Sequence, residues 1–137
     1  MALETVLIHE LELPVPFTCA DGTGIEKGAL LILTDPMTVA TTTGDTDEII
    51  GIASEEKIAN DGRTKIGVYL RGIFKGFAGA AGTTAGLAII SDTATGAANE
   101  LVIADVNSEA VVGIALETAA DTESFMFLLQ PVNFNLA

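Results

Sequence analysis

The sequence predicts an all-β fold, a small barrel or sandwich made of two similar strand units behind an extended N-terminal arm. Three observations lead there. Hydrophobic residues make up 49% of the 137-residue chain, yet they fall in short runs such as 29–33, 66–70 and 125–129, with turn residues between them. The order Gly51-Ile52-Ala53-Ser54-Glu55 returns as Gly113-Ile114-Ala115-Leu116-Glu117, each behind a β-branched pair, Ile49-Ile50 and Val111-Val112. Helical periodicity with caps is missing, and only 55–60 has room for a single helical turn.

The arm comes first, as residues 1–16. Leu7, Leu11 and Leu13 alternate with Glu10 and Glu12 until Pro14 and Pro16 end the run, the pattern of an edge strand or an extended arm. It lies outside both repeated units. Two roles stay open for it, contact with another chain or an extra strand of the subunit's own sheet.

The first unit, residues 17–76, reads as a strand after Gly28, a turn at Asp35-Pro36, a β-branched strand through Gly51-Ile52-Ala53, a polar loop and a closing strand at 64–70. Proline sets the φ that starts the first turn, and Asn60-Asp61-Gly62 tolerates left-handed φ in the loop. The second unit, residues 77–137, repeats the order roughly 60 residues on, as duplication of one β unit would leave it. Gly86 precedes 87–92, Thr95-Gly96 supplies turn residues, the Gly-Ile-Ala strand follows, and 123–129 closes the unit. Between the units, the glycine-rich stretch 73–86 reads as a close-packed turn that swings the chain from one unit into the next. It has neither the Gly-Lys-Ser or Gly-Lys-Thr ending of a phosphate loop nor a dinucleotide fingerprint. A single domain of this length closes a core of its own, although small β proteins often complete their burial by oligomerising.

Charge and composition narrow the function. Nineteen acidic against 6 basic residues give a formal charge of −13, which disfavours phosphate backbones and anionic membranes, so no nucleic-acid or membrane partner is expected. No apolar run approaches the roughly 20 residues of a membrane helix, and no secretion signal opens the chain, so synthesis in a cytoplasm is expected. The single cysteine, Cys19, rules out an internal disulfide and reads as a small buried hydrophobe. The single histidine, His9, sits on the alternating arm without a Gly-x-Ser-x-Gly elbow, so it reads as structural. One cysteine and one histidine cannot make a zinc site, and the acids at 45–48 and 55–56 lack the spacing and glycine of a calcium loop. No catalytic residue, cofactor or metal ligand is therefore assigned. Tyr69, Phe74 and Phe77 have only Lys65, Arg71 and Lys75 near them in an acidic chain, so they read as core or subunit-interface packing and not as a base-stacking platform.

The succession of elements is more distinctive than any one of them. The run 17–28 into Leu30, Ile32, Leu33 and Asp35-Pro36, then Ile50-Gly51-Ile52-Ala53, then 68–74, then Ala85-Gly86-Leu87, and last 112–117 with 128–131, resembles head decoration (capsid cement) proteins of tailed bacteriophages and related archaeal viruses. The resemblance implies a β-barrel or β-tulip-like subunit, commonly a homotrimer, on the outer surface of an expanded icosahedral capsid. Its partners would be the major capsid protein and itself. Under that resemblance the arm residues Leu3, Val6, Leu7, Ile8, Leu11 and Leu13 are candidate capsid contacts, and Tyr69, Phe74 and Phe77 candidate subunit contacts. Two rival classes are a trimeric nucleotide hydrolase of the deoxyuridine triphosphatase type and a carbohydrate-binding β module. Val68-Tyr69-Leu70-Arg71-Gly72 is only a superficial echo of the first, and a chain with no Trp and one Tyr is poorly equipped for the second.

Overall fold

Eleven strands and no helix occupy the described residues, 5–42, 48–92, 99–104 and 110–133, of the computed structural model. They are β1 (Val6–Glu10), β2 (Val15–Thr18), β3 (Leu30–Asp35), β4 (Thr38–Thr41), β5 (Ile49–Ala53), β6 (Lys65–Tyr69), β7 (Gly72–Ala78), β8 (Ala88–Ser91), β9 (Glu100–Ile103), β10 (Ala110–Ala115) and β11 (Ser124–Asn133). The segment 55–60 makes no helical turn. Lys57 and Ile25 exchange backbone hydrogen bonds of 2.9 and 2.8 Å, and this bridge holds the loop extended.

The strands close into two barrels of identical connectivity. The first runs β2-β4-β3-β5-β6, antiparallel at every seam but the parallel one between β2 and β4. In the second, β7, β9, β8, β10 and β11 follow in the same roles, with the parallel seam between β7 and β9 and an antiparallel pairing of β11 with β7 closing the ring. Closure leaves no free edge within either ring. β1 is added outside the second ring, antiparallel to β7. Sequence patterning marked β3, β5, β6 and their repeats, while β4 and the parallel seams depend on partners far along the chain.

The repeat extends to backbone conformation. Met37 and Asn99 take left-handed φ of 52° and 70° just before β4 and β9, and Asn60 and Thr122 take 62° and 68° in the loops before the closing strands. The turns expected at Asp35-Pro36 and Asn60-Asp61-Gly62 are present; Thr95-Gly96 lies outside the described residues. The two glycines of the repeated motif are there for space. A Cβ on Gly51 would lie 2.3 Å from the carbonyl oxygen of Tyr69, and one on Gly113 would lie 1.8 Å from that of Leu128. Only glycine lets the motif strand come so close to the closing strand.

Two cores follow from the two barrels. Phe17, Leu31, Val39, Ala53, Ile66 and Val68 fill the first. The second contains Phe74, Ile89, Leu101, Ala115, Phe125, Phe127 and Leu129, and also Leu30, Ile49 and Ile52 from the outside of the first barrel. The barrels are therefore joined by shared apolar burial. A buried polar clasp adds to it, in which Leu30 N–H donates to Asn99 Oδ1 at 2.9 Å. The glycine-rich stretch is not the swing between units that the sequence suggests. Its first part is strand β7, its remainder is the loop into β8, and the passage between barrels is the pair Leu70-Arg71. Glycine enrichment there reflects close packing, with a Cβ on Gly76 meeting Phe127 at 3.0 Å and one on Gly79 meeting Val102 at 2.8 Å.

Candidate functional site

The N-terminal arm is built as an added strand whose apolar residues divide between core and solvent. Leu7 sits opposite Phe74 and packs on the shared core. A register irregularity between Leu7 and His9 shifts the following residues, and Val6 and Ile8 remain 58% and 40% exposed. Leu11 and Leu13, in the connection to β2, are 52% and 75% exposed. Four large apolar side chains thus face outward along one short segment. Leu3 lies outside the described residues. The arm is fastened at its base, where Thr5 N–H and Oγ1 both donate to Gly28 O, at 3.0 and 2.8 Å. Gly28 has a φ of 86°, and a Cβ there would fall 2.2 Å from Thr5 O. A cavity of about 410 Å³ opens beside this anchor, lined by Leu7, Lys27, Ile52, Tyr69 and Phe74 among others.

The three aromatic residues occupy different places. Phe74 is buried, stacked on Phe127 with centroids 6.0 Å apart, and meets Tyr69 edge-on at 5.6 Å. Tyr69 is half-buried, its phenol pushed up by burial and then by neighbouring Glu10. Phe77 is half-buried and alternates with Phe74 on β7, so it turns away from the barrel interior. The first two pack within the chain, and Phe77 alone is turned outward.

Charged groups found by the fold, and not by the sequence, hold the loops. Lys57 is fully buried at the end of the first barrel. Its ammonium donates to Asp21 O at 2.8 Å, Ile58 O and Asp61 Oδ1 at 3.0 Å, and Asp21 Oδ1 at 3.3 Å. Burial opposes its charge, but the bonds to Asp61 and Asp21 prevail and raise its pKa. The Asp61 carboxyl is held low, first by the Arg63 N–H and then by Lys57. The four-residue spacing of Lys57 and Asp61 is visible in the sequence; their meeting with Asp21 is not. In the second barrel Ala119 takes the place of Lys57, bridging to Thr83 as Lys57 bridges to Ile25.

Among the described residues, no reactive constellation gathers around the remaining candidates. His9 is exposed on β1 opposite Ile73. Cys19 is buried as expected, with its thiol pushed up by desolvation. Among the described residues, no three of His, Cys, Asp and Glu come together as metal ligands; of the acidic run at 45–48, only Glu48 is described. A family model for phage cement protein matches residues 9–130. The chain belongs to the phage cement protein family. The cement-protein match begins in β1 and ends in β11, so it takes in both barrels. Membership makes this a structural protein that associates with a phage capsid. No curated protein matches the chain.

Proposed function

We propose that this cement protein binds the outer surface of the mature icosahedral capsid as a homotrimer at threefold and quasi-threefold positions and stabilises the shell against internal pressure, without catalysis. The observation that carries the reading is the apolar row Val6, Ile8, Leu11 and Leu13, exposed on an arm that neither barrel needs for closure, in a chain of the cement family. Such a row, on an edge strand and the connection that follows it, suits strand addition to the major capsid protein, with main-chain hydrogen bonds for affinity and alternate side chains for fit. A ligand that binds only the expanded lattice stabilises that lattice by mass action. Three arms on one trimer turn modest single contacts into avidity. The subunit is made in the host cytoplasm and acts on the virion.

The test mixes purified protein with unexpanded and expanded shells and follows co-sedimentation and electron-microscopic density. Density at local threefold positions on expanded shells only is expected. A quadruple variant, Val6→Thr, Ile8→Thr, Leu11→Ser and Leu13→Ser, should keep the fold and lose occupancy. Full occupancy by that variant removes the arm as the contact; absence of wild-type binding to expanded shells removes the reading itself.

A further inference from the structure

The duplication leaves one barrel end and one sheet face unmatched, and they correspond. In the first barrel, Leu30 lies opposite Ile52 and Ile52 opposite Tyr69, a row that points out of its own barrel. Leu30 and Ile52 are nevertheless fully buried, because the row caps one end of the second barrel. That end is where β7, β9 and β10 begin and β11 finishes, and it presents Phe74, Asn99, Val112 and Leu129.

The second barrel carries the same row, Ala88 opposite Ile114 and Ile114 opposite Leu128. Here nothing among the described residues covers it. Ala88 and Leu128 are half-buried and Ile114 is 37% exposed. Ile73, opposite Leu128 on β7, continues the row. An antiparallel sheet that faces water normally alternates apolar inside with polar outside, and along this row it is apolar on both faces.

The first barrel, in turn, has the matching end uncovered by any other strand among the described residues. Val15 lies opposite Val68 as Phe74 lies opposite Phe127. Met37 stands before β4 in left-handed conformation as Asn99 stands before β9. Ile50 and Leu70 complete this end as Val112 and Leu129 complete the other, and Met37 is 53% exposed.

We infer that the Ala88–Ile114–Leu128 row of one chain caps the Val15–Met37 end of the first barrel in a second copy, repeating between chains the contact that joins the two barrels within one. The occupant is a second copy because the chain already shows what this row fits, the end of a barrel of its own kind. Charge agrees. The row and its extension at Ile73 carry no carboxylate, so this side adds no acid to a contact between two chains of −13 each. The interface is heterologous, row to barrel end, and it closes into a ring if the rotation permits. Resting on the homotrimer reading above, three chains give a ring of six barrels.

Native mass spectrometry and sedimentation velocity of the purified full chain test this without capsids. Ile114→Asp removes the row, Met37→Asp removes the barrel end, and Ile58→Asp, at the opposite end of the first barrel, serves as control. Wild type and Ile58→Asp should be trimers, while each of the other two should be a monomer with an unchanged far-ultraviolet circular dichroism spectrum. An equimolar mixture of Ile114→Asp and Met37→Asp should form a heterodimer and stop there, since one intact row then faces one intact end. A monomeric wild type overturns the inference, as do trimers from both variants or a mixture that forms no heterodimer. Capsid co-sedimentation reads the earlier proposal separately. A trimer that fails to bind expanded shells sinks that proposal alone, and variants that lose shell binding while remaining trimers would make this face a capsid contact and sink the inference alone.

Discussion

Glu117 accepts the backbone N–H of Met126 at 2.8 Å, and roughly 60 residues upstream Glu55 accepts that of Gly67 at 3.1 Å. The last residue of the repeated motif thus does the same work twice, tying the loop after β5 or β10 to the strand that closes the ring. Each carboxylate gives a strand N–H at the seam a charged acceptor in place of water. Glu117→Ala should lower stability by about 1 kcal/mol, and Glu117→Gln, which keeps an acceptor oxygen, by less. Urea titrations of the three proteins compare them; equal midpoints would show that the bond is incidental.

Gly113 gives a sharper test of the close approach. Gly113→Ala places a methyl group against the Leu128 carbonyl and should cost about 3 kcal/mol through forced strand separation. Gly62→Ala is the comparison, since Gly62 has a φ of 84° but nothing within 4 Å of its Cβ position. Only the left-handed backbone is strained there, by about 1 kcal/mol. If Gly62→Ala proves the more damaging in thermal denaturation, packing at the motif glycine is not what limits it.

Lys57→Ala should lower the melting temperature clearly, because it leaves Asp21 and Asp61 facing a vacated site beside the carbonyls of Asp21 and Ile58. Lys57→Arg should fail to restore it, as a planar guanidinium does not fit a fully enclosed ammonium site. Differential scanning calorimetry reads both. An unchanged melting temperature for Lys57→Ala would mean that the buried cation is dispensable, as Ala119 is sufficient in the second barrel.

Acid should loosen the first barrel. The carboxyls of Glu55 and Asp61 are both held below the usual range, by the Gly67 N–H and by the Arg63 N–H respectively as the largest causes. A depressed folded-state pKa contributes stability that is complete above the unfolded value, about 4, and is lost as pH falls through the folded value. The melting temperature should therefore hold from neutrality down to about pH 5 and drop below about pH 4. In the double variant Glu55→Gln, Asp61→Asn that drop should be shallower. Lys57 works in the other direction: its raised pKa gives stability present below about 10.4 and lost only as pH rises through the folded value. A variant with the same acid profile as wild type would locate the acid-sensitive groups elsewhere.

Much of the architecture was legible because strands are specified by local alternation and turns by local backbone preference. The Gly-Ile-Ala motif and its spacing announced two equivalent units, and Asp35-Pro36 and Asn60-Asp61-Gly62 marked their turns. The stretch 73–86 was misread for a physical reason: glycines that admit neighbouring side chains at Gly76 and Gly79 leave the same composition as glycines that bend a chain. The arm was legible as an apolar segment, but which residues face outward was set by the irregularity between Leu7 and His9, which no pattern rule places.

By itself the sequence determined that strands would form and that they would come in two copies, both consequences of local pattern. Tertiary structure alone decided the parallel seams that close each ring, the meeting of Lys57 with Asp21, and the burial of the Leu30–Ile52–Tyr69 row while its twin at Ala88–Ile114–Leu128 stayed open. These depend on which residues distant in the chain become neighbours, and that is fixed by burying the greatest apolar area at once and not by any residue's own preference.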